Sequence, residues 1–311
     1  PCFSFVYISG YLEKKSIVKL FIGNVVGYGG VQKITEVFSA LPDFQILDRK
    51  SLIPAFDLAK NENVEAVIVG PDTLARLLSL IFLAFGRKVV FLVDKERFNI
   101  SSIKSLLSFI LNILIIRFPK NDKVVYLFPC DNKFILFPGF TPGVEESKDI
   151  YYESNDQLKI AFIGRDDYIK GFDRFLKVSK ACSDIAEFVA AGIDIEKSTS
   201  DVRCLGRIEN SKSLIRQSDL ILILSREEGF PSLIAECTEL NKTLLLTNIL
   251  PEEYTRDFGN VVVIKSNDSE TKIIEEFSYF IRNFSKSAIE PSFLGKDDFD
   301  FYRFQEKVRN L

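Results

Sequence analysis

Two glutamates eight positions apart, Glu228 and Glu236, mark the stretch Ser-Arg-Glu-Glu-Gly-Phe-Pro-Ser-Leu-Ile-Ala-Glu-Cys-Thr-Glu at residues 225–239. Carboxylates at such a spacing can accept hydrogen bonds from two separate hydroxyl-bearing groups of one ligand. The residues around them say where they stand. Pro231 suits a first helical turn, where its missing N–H costs nothing. Behind it Leu233, Ile234, Cys237 and Leu240 recur at helical spacing and predict a buried stripe. Ahead of the turn, Asp219 and the apolar run to Leu224 read as a strand covered on both faces. The unit is strand, glycine turn, helix, with Glu228 at the helix mouth and Glu236 about 7 Å further along the axis. Free backbone N–H groups at that mouth, at Gly229 and Phe230, attract an anion. A ligand with a central phosphate and a polyol at each end fits, and a nucleoside diphosphate sugar is such a ligand. The plain alternative is an ordinary α/β turn with one solvated glutamate and one favoured by the helix dipole.

Two more stretches point at phosphate. In Ile163-Gly-Arg-Asp-Asp-Tyr-Ile-Lys-Gly-Phe-Asp173, Lys170 falls where a helix begins, and a cation there opposes the macrodipole unless an anion shares the site. Arg165 sits on the same loop at the carboxyl end of a strand, where open α/β sheets bind ligands. Both also read as solvated loop cations. Gly29 and Gly30, in Gly27-Tyr-Gly-Gly-Val-Gln-Lys33, allow close backbone approach before another helix. That loop matches neither G-x-G-x-x-G nor a Walker A sequence, which weakens nicotinamide and nucleoside triphosphate readings. Asp298-Phe-Asp300 has a D-x-D form but precedes a helical tail, so it reads as N-terminal helix charge and no metal is expected.

Composition removes other chemistries. None of the 311 residues is histidine, which excludes Ser-His-Asp and Cys-His machinery and the usual zinc sites. A net charge of −3 gives no case for nucleic acid. Five widely spaced cysteines without a C-x-x-C pair read as buried free thiols in a reducing compartment. No charged n-region with a cleavable apolar core is visible, so a cytoplasmic chain is expected. The greasiest run, residues 103–118, is too short and too polar to span a bilayer.

Strand-like runs alternate with helical patterns, the mark of parallel α/β layers. In the first half, strands are predicted at residues 3–8, 18–22, 64–69, 88–93 and 124–128, with a short one at 134–137. Helix faces are traced by Val31 to Leu41, Leu74 to Ile81 and Ile103 to Ile110. A Pro- and Gly-rich turn near residues 138–143 and an acidic stretch to 156 suggest a linker. The pattern restarts with strands at 158–163, 186–191, 202–205, 219–224, 243–247 and 261–264. Helices are predicted at 172–182, 211–217, 231–240 and 270–284, and residues 299–311 look amphipathic. The length suits two domains, read as 1–152 and 153–311.

The segment from Glu228 to Glu236 resembles the E-x7-E signature of retaining GT-B glycosyltransferases of family 4. The resemblance implies two Rossmann-like domains facing across a cleft, with a terminal helix at about 286–311 crossing back to the first domain. It implies sugar transfer from a nucleoside diphosphate donor (UDP-, GDP- or ADP-sugar) to an acceptor hydroxyl, with retained anomeric configuration and no cofactor or metal. Glu228 would then contact the donor hexose and Glu236 the ribose. Arg165 and Lys170 resemble the family's Gly-Arg…Lys-Gly diphosphate clamp, and Gly29 and Gly30 its Gly-Gly loop. Leu205 and Gly206 resemble the segment that borders the base. Many members carry a histidine after a first-domain strand. Here that region offers Asp94 instead as the polar group near the reacting sugar. The missing histidine keeps open a sugar-nucleotide-binding protein without transferase activity, and an epimerase on the same fold is a further alternative. The acceptor is not legible. Residues 70–123 hold nine Lys or Arg against four Asp or Glu, which fits either peripheral contact with the inner face of a membrane or a solvated basic face.

Overall fold

A computed structural model describes residues 18–23, 30–70, 73–93, 124–127, 138–140, 142, 148–256, 258–265, 269–284 and 301–309. Strands β1 (Val18–Gly23), β2 (Phe44–Asp48), β3 (Val64–Val69), β4 (Lys88–Val93) and β5 (Val124–Tyr126) form a parallel sheet of order β2-β1-β3-β4-β5. Parallel neighbours need crossovers, and helices supply them. Helix α1 (Gly30–Ser39) covers one face, where Phe21 and Phe38 stack with ring centroids 4.1 Å apart. Helices α2 (Leu52–Lys60) and α3 (Thr73–Ala84) cover the other, against Leu20 and Ile22. Adjacent residues of β1 thus serve opposite cores, as a period of two requires.

Strand β2 and helix α2 have no counterpart among the predicted elements. Only Phe44 and Leu47 of the edge strand β2 are buried, so no clean alternation is written into it. In α2, Pro54 reads as a breaker, yet it falls in the first turn, where a helix tolerates it.

The second sheet comprises β6 (Leu158–Ile163), β7 (Ala186–Ala191), β8 (Val202–Cys204), β9 (Leu220–Ile223), β10 (Thr243–Thr247) and β11 (Val261–Ile264). Its order is β11-β10-β9-β6-β7-β8, again all parallel. All four residues of β9 are buried. Ile221 and Ile223 join a core with α5 (Lys212–Gln217) and α6 (Ser232–Glu239). Leu220 and Leu222 join one with α4 (Phe172–Cys182) and α7 (Glu270–Arg282). Cys182, Cys204 and Cys237 are buried free thiols, and burial pushes each above the ordinary thiol range.

Helix α8 (Phe301–Arg309) returns to the first sheet, where Phe301, Phe304 and Val308 complete the core around Phe21 and Phe38. The rings of Phe38 and Phe304 meet edge to face at 5.6 Å. The fold is therefore GT-B: two parallel α/β layers, with the chain end crossing back. The strands expected at 3–8 and 134–137, the helix expected at 103–110 and the D-x-D at Asp298 and Asp300 lie outside the described residues.

In both sheets the strand order reverses beside the first strand, between β1 and β3 and between β6 and β9. Such switch points open a crevice at the strands' carboxyl ends. The loops after β6 and β9, carrying Lys170 and Glu228, therefore flank one crevice. Gly30 opens α1 after β1, beside the corresponding reversal of the first sheet.

Because Phe304 is 2% exposed in a shared core, Phe304→Ala should cost about 3 kcal/mol or more by urea unfolding. Tyr302→Ala, at a position 69% exposed on the same helix, should stay within about 0.5 kcal/mol. Equal losses at both positions would contradict the docking of α8.

Candidate functional site

The loops after β6 and β9 are joined at an unusually close approach. Gly171, the N-cap of α4, has φ +74°, and a Cβ there would lie 2.1 Å from the carbonyl oxygen of Leu224. Only glycine serves both the conformation and the contact. The Arg174 guanidinium donates to that same carbonyl at 3.1 Å, and the Arg226 N–H donates to Ile169 O at 2.7 Å. Arg226 then turns across the seam. Its guanidinium makes paired bonds of 2.8 and 2.7 Å to Asp173, donates to Glu270 at 2.8 Å, and stacks over Tyr168 at 3.7 Å. Thr247 on β10 donates to Ser225 O at 2.8 Å, tying the third strand in.

That frame sets Lys170 against Glu228. The Lys170 ammonium donates to Glu228 Oε1 at 2.6 Å, and the Ser225 hydroxyl donates to the same oxygen at 2.7 Å. Both side chains are mostly buried, at 27% and 11% exposed. A cation and an acid from opposite sides of the switch point therefore share one small volume. Either can exchange its partner for a ligand's phosphate or hydroxyl.

Glu236 lies on α6 and is 3% exposed. A charge that deep requires partners, and it has them from three segments. Ser232, one turn earlier, donates to Oε1 at 3.1 Å, and Ser211 at the N-cap of α5 donates to Oε2. Lys33, in the first turns of α1, donates to Oε1 at 2.5 Å. This last bond spans the two halves of the molecule.

Other residues singled out by sequence sit differently. Arg165 is 64% exposed on its side chain and pairs with Asp167 of its own loop at 3.2 Å. Leu205 and Gly206 border the crevice side of β7, Leu205 donating to Ala190 O and Gly206 to Ile193 O, both at 2.8 Å. Gly206 adopts φ +68°. Phe230 packs toward Phe258, with centroids 6.2 Å apart, and Gly229 precedes it in the turn. Pro231 is the extended N-cap of α6 (ψ 127°) and not a first-turn residue, so the helix begins one position later than its spacing suggests. Gly30 starts α1, whereas Gly29 and Asp94 lie outside the described residues.

Lys33, Ser211, Ser232 and Arg226 also belong to this site, although their positions in the sequence do not single them out. Ser232 was findable, since a residue four positions before Glu236 on a helix lies on its face. Lys33 was not, because pairing residues 203 apart depends on how two sheets meet.

No protein-family model matches the chain, and no curated protein matches it. Solved structures do. The chain is similar to the Anabaena protein HepE in complex with UDP and glucose, at TM-score 0.64 and 12% identity over 94% of this chain and 98% of that one. It is similar to the lipopolysaccharide outer core galactosyltransferase WaaB, at TM-score 0.58 and 13% identity over 94% and 98%. For the pneumococcal O-GlcNAc transferase GtfA, in complex with UDP and GlcNAc, the TM-score is 0.53 and the identity 14%; the match covers 82% of this chain and only 58% of GtfA. At these identities the likeness is one of fold, and the fold is the one glycosyltransferases of the GT-B type share.

The seam carries a pH signature. The Arg226 guanidinium holds the Asp173 carboxyl below its ordinary 3.8, and Lys177 followed by Arg226 holds Glu270 below 4.5. Depressed carboxyls stabilise the fold above their unfolded pKa and lose that contribution as pH falls through the folded value. Arg226→Met should therefore lower the urea midpoint at neutral pH, and the gap to wild type should narrow as pH falls below the ordinary carboxylate range and through the lowered folded values. A gap of constant size would show that packing, not charge, is what Arg226 supplies.

Proposed function

We propose that the chain is a retaining glycosyltransferase resembling family 4, which moves a sugar from a UDP-, GDP- or ADP-sugar to an acceptor hydroxyl without cofactor or metal. The observation that carries the reading is the Lys170–Glu228 pair at 2.6 Å across the switch point of the second sheet, with buried Glu236 on the helix that follows. In this reading Lys170 leaves Glu228 for the donor diphosphate and Glu228 turns to the hexose. Arg165, exposed on its loop, closes on the same phosphates. The backbone at Gly229 and Phe230 adds N–H donors, Glu236 takes the ribose, and Leu205 and Gly206 border the base.

As the sugar–phosphate bond breaks, negative charge grows on the leaving diphosphate, and fixed cations there lower the barrier. The acceptor oxygen forms the new bond to the same anomeric carbon, and its proton passes to the departing phosphate, so no protein base is needed. Asp94, Gly29 and Gly30 would serve the first-half side of the reaction. The division near residue 152 into acceptor-side and donor-side domains belongs to the same proposal. A second reading, donor binding without transfer, is favoured by the absence of histidine from the sequence.

Contact with a membrane's inner face is proposed through the first half. There Leu52, Ile53 and Phe56 of α2, Leu74, Leu77 and Leu80 of α3, and Phe85 just beyond it stand exposed. Outward apolar residues on adjacent helices suit a surface that meets lipid. No helix among the described residues is long and apolar enough to cross a membrane. Ile53→Glu with Leu77→Glu should abolish co-sedimentation with anionic liposomes, and binding unchanged by the pair would remove the proposal.

Thermal stabilisation by a panel of UDP-, GDP- and ADP-sugars tests the donor site directly. A ligand at about 100 times its Kd stabilises the native state by about 2.7 kcal/mol. At least one sugar nucleotide should raise Tm, and Glu236→Ala or Lys170→Ala should abolish the rise. Transfer with retained configuration, against binding alone, separates the two readings.

A further inference from the structure

The contact between Lys33 and Glu236 has a property the donor reading does not require. A carboxylate offers about four acceptor positions. Here Lys33 and Ser232 occupy Oε1, and Ser211 occupies Oε2. Two of these partners belong to the second half and move with Glu236. Lys33 comes from α1 of the first half and is 24% exposed on its side chain. It is thus the partner most easily withdrawn, since its ammonium can reach water while the serines stay fixed to α5 and α6.

The same lysine touches the chain where it passes between the halves. Its ammonium lies 5.3 Å from the Phe140 ring centroid, and the Lys212 ammonium lies 5.5 Å from that same centroid. Phe140 is buried, and its N–H donates to Glu239 Oε2 at 3.1 Å. Gly139 lies so close to α6 that a Cβ would come within 2.6 Å of Glu239 and 2.9 Å of the Ala235 carbonyl. Gly139 and Phe140 are therefore pressed onto the Glu236 helix, with the Lys33 ammonium near both Phe140 and Glu236.

We propose that the Lys33–Glu236 ion pair is a latch: it holds the two halves together over the carboxylate that a donor's ribose needs, so that closure and nucleotide binding compete. The competition rests on Glu236 being a donor residue; the closure does not. When the latch opens, Glu236 exchanges the ammonium for hydroxyls and Lys33 is hydrated or meets ligand phosphate. A ligand whose competent state is only partly populated binds more weakly by that fraction. Releasing the latch should therefore tighten binding.

The test compares wild type, Lys33→Met and Lys33→Arg, each confirmed as folded by circular dichroism. Small-angle scattering is measured without ligand, and calorimetry with UDP, GDP and ADP as probes. Lys33→Met should enlarge the radius of gyration and bind a nucleotide about tenfold tighter, as expected if the latched state makes up roughly nine-tenths of the molecules. Lys33→Arg keeps the charge and should return both values toward wild type. An unchanged radius in Lys33→Met overturns the latch. A larger radius with equal or weaker nucleotide binding overturns the competition. If the radius rises but no form binds any of the nucleotides, the donor reading of Glu236 fails and the closure alone stands.

Discussion

A carboxylate removed from water must find its hydrogen bonds within the protein, and at Glu236 that requirement organises the molecule. Its oxygens draw in a serine from one turn earlier on the same helix, a serine from the N-cap of the neighbouring helix, and a lysine from the other sheet. The first two fix α5 against α6. The third joins the second sheet to α1 of the first. Leaving such a group unpaired costs several kcal/mol, so the halves have a reason to meet where they do. The apolar packing of each sheet supplies stability but no reason for this particular juxtaposition.

The crevice has two kinds of wall. On the second sheet, Gly171 against Leu224, the Arg226–Asp173 pair and the Thr247 bond to Ser225 tie the loops after β6 and β9 to each other and to the end of β10. Lys170 and Glu228 are anchored on that piece at their backbones and meet through the bond at 2.6 Å. On the first sheet, Lys33 of α1 reaches across to Glu236.

Much of this was legible in the sequence because parallel sheets bury their strands on both faces and leave long apolar runs. β9 reads that way, β6, β7, β10 and β11 read as strands from their apolar runs, and Lys170, Glu228 and Glu236 fall near the strand ends and helix starts their motifs indicate. What escaped detection was of two kinds. β2 is an edge strand with only two buried side chains, and α2 hides behind Pro54, so local pattern understated both. The partners of Glu236 escaped for another reason. Ser211 and Lys33 are polar residues at helix starts, where caps and solvated cations are the ordinary explanation. Only the meeting of distant segments gives them another role. Arg165, which its motif groups with Lys170, pairs with Asp167 on its own loop.

The return of α8 to the first sheet constrains the order in which the chain can be made into a protein. Phe301, Phe304 and Val308 are part of the core that contains Phe21 and Phe38, yet they are synthesised after the whole of the second sheet. A nascent chain can complete β6 to β11 and α7 while the α1 face of its first sheet still shows bare aromatic rings. Domains generally fold as units in the order they leave the ribosome. Here the earlier unit must wait for the later one, and a ribosome stalled near residue 300 would present an unfinished hydrophobic surface to any chaperone at the exit tunnel.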